Sequence, residues 1–444
     1  MASQADMLQG DIKQTLTRMT LPMMMGIVSL MLFNLADLYF VSRLGTEPLA
    51  ALGFTFPVSF TLISLAIGLG IGTSATLARL MGAGDVAEAG SLASDNLLAT
   101  TCLIICVSLL SQLWIEPLFR LLGAQNNLIP LILDYMHVWL FGVVFLVVNM
   151  VMNACMRATG DMRTPALIMA GSSLLNLMFD PLLIFGVGSF SGFGIQGAAL
   201  ASVISWGVTT VVALYILYQH KRLIVRQPFV LSRVVLHYRS VMKIGLPAAL
   251  SNMMTPVSQA VLTYLVARHG QEAVAAFGVG NRIESLSLLI CLALSMTLPP
   301  FISQNFGAGN IERISTAYRL VFRFAIAWQF LVFFVLVVMA NSIAQQFSEN
   351  IEVQEGIILW IYIVPAGFAF QALIFLTASS FNALHQPYRA MRISVIRLFL
   401  FALPLAWIGS QLYGLHGMFM GLVAANFLVG ALALWQMKKY LLSL

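Results

Sequence analysis

The chain has 444 residues, of which 60% are hydrophobic and only 9% charged, with mean hydropathy +0.91 and formal net charge +6. Soluble domains carry about 25% charged residues, so the composition excludes an ordinary water-soluble protein and indicates a polytopic membrane protein. Backbone groups find no water inside a bilayer, which leaves helices or a closed barrel; apolar runs of roughly 20–30 residues, not ten-residue alternating strands, select helices.

The first fifteen residues are polar, and the apolar run after them is too long for a signal-peptide core, so no cleaved signal is expected. Twelve transmembrane helices are predicted: 16–42, 48–80, 91–118, 127–157, 163–187, 196–220, 240–267, 272–304, 313–343, 350–383, 389–412 and 415–438. The first, Leu16–Val41, holds Pro22 early and Asp37 near its far end. An acid in a membrane span is costly unless it is paired, protonated or lining water. Short connections with breakers or charge separate the spans: GTEP at 45–48, GAGD at 82–85, ATGD at 158–161, SGFG at 191–194 and GAGN at 307–310.

The longest connection, 221–240, contains no acid and divides the chain into an N-terminal lobe, 1–220, and a C-terminal lobe, 241–444. Laying the spans out places nineteen of the 23 lysines and arginines on one side, among them Lys221, Arg222, Arg226, Arg233, Arg239 and Lys243. Arg43, Arg120, Arg268 and Arg282 fall on the other. The positive-inside rule therefore puts both termini in the cytoplasm, and it explains the basic charge without nucleic acid. Cys102, Cys106, Cys155 and Cys291 have neither metal nor disulfide spacing and are expected to pack. No cofactor is expected. There is no G-x-x-x-x-G-K-[ST], so direct ATP hydrolysis is not expected; a transporter and not an enzyme is the expectation.

The two lobes repeat. Leu21-Pro22 recurs as Leu246-Pro247, VSRLGTEPLAALGF (41–54) faces VARHGQEAVAAFGV (266–279), and GAGD faces GAGN, all at an offset of 225. Farther on, FGIQG (193–197) matches YGLHG (413–417). Six helices per copy preserve orientation, so the fold class is all-α with two parallel six-helix lobes. Two such lobes form a transporter architecture; a duplicated scaffold without transport is the alternative.

Asp37 lies about six residues before the outer end of helix one and Asp180 about seven before that of helix five. Both therefore sit roughly 10 Å below the same boundary. Equal depth permits one shared site. Two neighbouring carboxylates resist joint ionisation, so one is expected to hold a proton near neutral pH. Asn176 precedes Asp180 by four residues and shares its helix face; its amide suits either a hydrogen bond to the acid or a Na⁺ contact. Asn34 precedes Asp37 by three, and is either a further ligand or an interhelical packing bond. Glu284 lies about ten residues into helix eight, where Arg282 points away from it and Asn281 is better placed. It is either a cation-attracting acid or half of an interhelical pair. Asp95, Asp134 and Glu116 fall near predicted ends and are expected to be solvated. The methionine clusters are assigned to packing.

The repeat length, the LP pair opening helices one and seven, the GAGD and GAGN turns, Asp37, and the NLMFDPLLIFG stretch (176–186) together resemble the MATE multidrug exporters. The resemblance covers essentially the whole chain. It implies export of amphipathic organic cations in exchange for inward H⁺ or Na⁺, in the bacterial inner membrane, by a lipid-embedded protein expected to be a monomer. Within the family the chain looks like the DinF-type branch, whose N-lobe coupling site includes an aspartate on helix one. Helix seven has no acid, and Gln371 stands in the middle of helix ten, unlike the C-lobe cation site of the NorM-type branch. The resemblance points to Asn153 on helix four, with Asn149 as its competitor, and to Pro22 as a bend in helix one. From the residues alone, Pro22 also lies where proline is tolerated, in the first turns. With Na⁺ as the coupling ion, Asp37, Asn176 and Asp180 are the expected ligands. A rival is a lipid-linked oligosaccharide flippase of the same superfamily, which requires a basic cavity; Arg282 is the only basic residue expected at mid-membrane.

Overall fold

The long apolar runs fold as helices wherever no glycine turn interrupts them. The computed structural model describes residues 4–188, 191–225 and 227–444; Arg226, counted above with the basic side, lies outside these. After a short helix at Gln4–Gln9, the spans are α1 (Ile12–Ser42), α2 (Thr46–Gly82), α3 (Val86–Leu121), α4 (Ile129–Ala158), α5 (Arg163–Phe185) and α6 (Ile195–Tyr215, extended by a π-helical turn at Ile216–His220). Then come α7 (Leu231–Ala267), α8 (Gln271–Ser287 and Leu289–Gly307), α9 (Ile311–Phe347) and α10 (Ile351–Ile363 and Phe368–Ala383, joined by a 3₁₀ turn). The segment Pro387–Leu441 is one continuous helical run kinked at Tyr413–Gly414. Its two arms are α11 (387–412) and α12 (415–441).

Ten helical segments among the described residues are long and apolar enough to cross a membrane, the kinked pair counting once. The polar residues Asn252, Thr255, Ser258 and Gln259 keep α7 off that count. The other differences from expectation are at the ends and in the middle of α8. Helix α3 runs 86–121 where 91–118 was expected, because its charged ends extend the helix past the apolar run. The predicted helix 272–304 breaks at Leu288.

The repeat is visible in the backbone. Gly45 and Gly270 have φ of 118° and 109°, and Gly84 and Gly309 have 87° and 74°, at the same 225-residue offset. These are left-handed turns that a side chain rarely adopts. At the equivalent of Gly160 the second copy places His385, which still takes φ 58°.

The chain divides into two units, residues 4–6 with Leu21–Ala249, and Met7–Thr20 with Leu250–Leu444. Helices α1 and α7 each pass from one unit to the other beside their Leu-Pro pair. In the first unit α4 is the hub, packed on α2, α3 and α6. Its Met136, Leu140, Val143, Val147 and Val151 are fully buried. There α2 also meets the beginning of α7 through glycines: a Cβ on Gly68 would lie 2.4 Å from the Gly245 carbonyl oxygen, and one on Gly72 2.4 Å from that of Val241. Small residues spaced by four allow such approach in membrane helices. The second unit repeats the arrangement with different chemistry, since Thr20 of α1 and Thr297 of α8 share a hydroxyl hydrogen bond of 3.0 Å. Arg313 secures the segment before α1 by donating to the carbonyls of Met7 (3.2 Å) and Gly10 (2.8 Å).

Asp95 corrects an expectation. It is buried, not solvated, and accepts from Arg233 Nε at 2.9 Å and Gln227 Nε2 at 3.1 Å, with His237 Nδ1 at 2.8 Å. His237 Nε2 also faces Glu88 at 2.9 Å. These bonds fasten the basic connection and the start of α7 to α3. Asp134 is exposed, and Glu116 pairs with Arg120 on the surface of α3 at 2.8 Å.

A second clamp joins the α4–α5 turn to the end of α6. Asp161 is buried, accepts from Lys221 Nζ at 2.6 Å and Thr164 Oγ1 at 2.7 Å, and receives backbone N–H groups of Arg163 and Thr164. Burial opposes ionisation of this carboxyl, but Lys221 and Thr164 outweigh it and hold the group below its usual range. The stabilisation is therefore complete above the unfolded carboxylate value of about 3.9 and is lost as pH falls through the lower folded value. Asp161→Asn is expected to cost about 1.5–3 kcal/mol at neutral pH. Thermal melting of both proteins at pH 7 and near pH 3 checks this: the gap should narrow in acid.

Candidate functional site

Asp37 precedes the last residue of α1, Ser42, by five, and Asp180 precedes the last residue of α5, Phe185, by five. Both carboxyls thus sit about 7.5 Å inside the ends of helices that run the same way. The two helix ends are adjacent, because the rings of Phe40 and Phe185 meet edge to face at 6.3 Å. Asp180 is fully buried on α5 and lies in the electrostatic field of Asp37. Asp37 is half-buried, and its Oδ1 is inaccessible with no hydrogen-bond partner. Buried acceptors are normally satisfied. A carboxylate oxygen left without a donor is an acceptor site that a proton or a cation can fill.

Asn176 lies between Asp180 and Ser202 of α6. Its amide nitrogen donates to Asp180 Oδ2 at 2.7 Å and Oδ1 at 3.2 Å, while its oxygen accepts from the backbone N–H and the Oγ of Ser202, both at 3.1 Å. Each end of the amide thus meets a partner of opposite character, which suits a carboxylate on Asp180.

Tyr135 of α4 completes the group. It is buried and lies in the field of both Asp37 and Asp180. Neither Tyr135 nor Ser202 was singled out from sequence, although the depth rule reaches them. Tyr135 is six residues from the first residue of α4 and Ser202 seven from that of α6. Those starts lie at the same end of the bundle as the exits of α1 and α5.

The other expected residues lie elsewhere. Asn34 is exposed on α1. Asn149 and Asn153 are buried, but Asn153 donates to Asn149 at 2.6 Å and Asn149 to Thr209 of α6 at 3.0 Å. Asn153 is about 27 Å along α4 from Tyr135. Pro22 sits inside a continuous α1, at the point where that helix passes between units. Glu284 belongs to the second unit, where Gln371 Nε2 donates to its Oε1 at 2.6 Å. Arg397 corrects a further expectation. It was counted with the basic residues of the cytoplasmic side, but it lies ten residues into α11.

The MatE family profile matches residues 22–182 and again 247–408, one match for each half. A Shewanella oneidensis protein described as a FAD transporter is 41% identical over 96% of this chain and 94% of its own length. The multidrug export protein MepA of Staphylococcus aureus is 25% identical over 94% of this chain and 91% of its own. A crystal structure of the Vibrio cholerae MATE transporter VcmN in the bent form superposes with a TM-score of 0.91, at 33% identity, covering 97% of each chain. With both halves matched and the fold shared end to end, this chain belongs to the MatE family, the MATE membrane transporters.

Proposed function

We propose that the protein is a cation-coupled antiporter of the bacterial inner membrane that exports amphipathic organic compounds by alternating access of two six-helix lobes. In this reading both termini are cytoplasmic, the moving parts are 1–220 and 241–444, and 221–240 links them. The observation that carries it is the buried, unpartnered Oδ1 of Asp37 beside Asp180 and Tyr135. Entry of H⁺ or Na⁺ from outside neutralises the acid pair and releases the substrate; loss of the ion to the cytoplasm restores the charge. With Na⁺, the oxygens of Asp37, Asp180 and Asn176 are the ligands. No step involves covalent chemistry. Efflux from proteoliposomes under an imposed pH gradient, and then under a Na⁺ gradient alone, identifies the ion; absence of efflux under both overturns the reading.

Amphipathic organic cations are the first substrate class. A specific observation favours a second. The 41% identical relative is described as a FAD transporter, and its identity to this chain is well above that of MepA. A flavin dinucleotide is amphipathic but anionic, so in this reading the exporter carries phosphate-bearing flavins.

A further inference from the structure

Four helices of the second unit bring polar side chains into one line. Gln371 of α10 donates from Nε2 to Glu284 Oε1 of α8 at 2.6 Å. Its Oε1 accepts from Asn426 Nδ2 of α12 at 3.3 Å, and Asn426 Oδ1 accepts from Arg397 Nε of α11 at 3.2 Å. A carboxylate only accepts and a guanidinium only donates, so each amide between them has a single orientation that satisfies both neighbours. The line is therefore fixed in direction and in rotamer. It has no counterpart in the first half: at the 225-residue offset, Glu284, Gln371 and Arg397 are replaced by Ser59, Leu146 and Ser172. The scaffold folds without it there.

Arg397 is the end of the line and the part not fully used. Only its Nε is bonded; among the described residues its two terminal nitrogens donate to nothing. Its guanidinium rests over the ring of Phe375, 5.1 Å from the centroid, and the residue stays partly exposed. It also sits in a π-helical turn, Ile396–Ala402, a distortion that recurs at functional positions. Ten residues into α11 it is about 15 Å from that helix's start, a depth at which a cation needs an anion. Glu284 supplies charge at a distance, but two amides hold its carboxylate off the guanidinium fork. The free fork matches two oxygens of one phosphate, a geometry lysine does not offer.

We propose that Arg397, braced by Asn426 and Phe375 and charge-balanced by Glu284 through the two amides, binds a phosphate group of an exported amphiphile. This rests on the phosphate-bearing flavin reading of the substrate and names the residue that recognises it. The test uses the full-length protein in proteoliposomes, with FAD and FMN as phosphate-bearing probes and riboflavin and ethidium as probes without phosphate. Arg397→Gln is expected to weaken FAD and FMN binding, measured without any gradient, by about tenfold or more. Riboflavin and ethidium binding should stay within about twofold of wild type, while Arg397→Lys retains part of the effect because it keeps the charge and loses the fork. Equal binding of FAD by wild type and Arg397→Gln overturns the proposal, as does an equal loss for all four compounds. Loss of co-purified phosphatidylglycerol with unchanged FAD binding also overturns it, by assigning the fork to a lipid headgroup. Because binding is read without a gradient, failure here is distinct from failure of ion coupling, which Asp37→Asn tests.

Discussion

Replacing Asp37 by asparagine is expected to reduce efflux to the level of empty vesicles while the protein remains inserted and at least as heat-stable as wild type. The two halves of that expectation have different physical origins. Asparagine keeps the size of the side chain but takes up no proton, so it holds the site permanently in the neutral state. Coupling needs both states, and a group locked in one cannot complete a cycle. Folding, in contrast, has nothing to lose. Asp37 Oδ1 is buried without a partner, so wild type bears the cost of a poorly solvated acceptor. Removing the charge relieves that cost. Efflux and thermal melting of the same preparation check the pair of outcomes. Normal efflux by Asp37→Asn overturns the coupling proposal, and loss of efflux together with a large drop in melting temperature assigns Asp37 to folding instead. Asp180→Asn is the companion measurement, and it should also stop transport.

Most of this fold was legible in the sequence because membrane physics leaves few options. Apolar run length marked the spans, and the repeated turns marked the halves; both copies indeed use left-handed backbone at Gly45 and Gly270 and at Gly84 and Gly309. The acid pair was legible for a similar reason, since depth along a helix is countable and places Asp37 beside Asp180. The same count reaches Tyr135 and Ser202, yet a tyrosine near a membrane boundary and a serine in a small-residue helix resemble ordinary anchors and packing. Their place beside the two acids appears only when four helix ends are assembled. Asp95 was misjudged because position near a helix end reports access to water only when nothing covers that end. Its partners Arg233 and His237 arrive from 138 and 142 residues away. Arg397 was misplaced because its helix begins with two further arginines, Arg389 and Arg392, and the three read as one basic end. Asn426, which orients it, is 29 residues downstream.

Gly72→Val is expected to damage the scaffold severely. The site lies where α2 crosses the start of α7, and a Cβ there would stand 2.4 Å from the carbonyl oxygen of Val241 and 3.0 Å from the amide nitrogen of Gly245. Both are backbone atoms, so no side-chain rotation makes room and the helices must separate. Separation also disturbs Gly68, whose own Cβ position is 2.4 Å from the Gly245 carbonyl. Overpacking a close-fitted interior costs about 1–3 kcal/mol, and a clash against backbone belongs at or above the upper end. The consequence extends to function, since the beginning of α7 also carries His237 and Arg233, which fasten the basic connection to Asp95. A valine at position 72 therefore loosens the point where the chain leaves the first unit for the second. The expected results are a markedly lower melting temperature and a broadened peak in size-exclusion chromatography. Gly171→Val is the control, since nothing lies within 4 Å of a Cβ there, and it should melt close to wild type. If Gly72→Val melts like Gly171→Val, the glycine contact does not hold α2 to α7, and the symmetry between it and the Thr20–Thr297 pair has no energetic content.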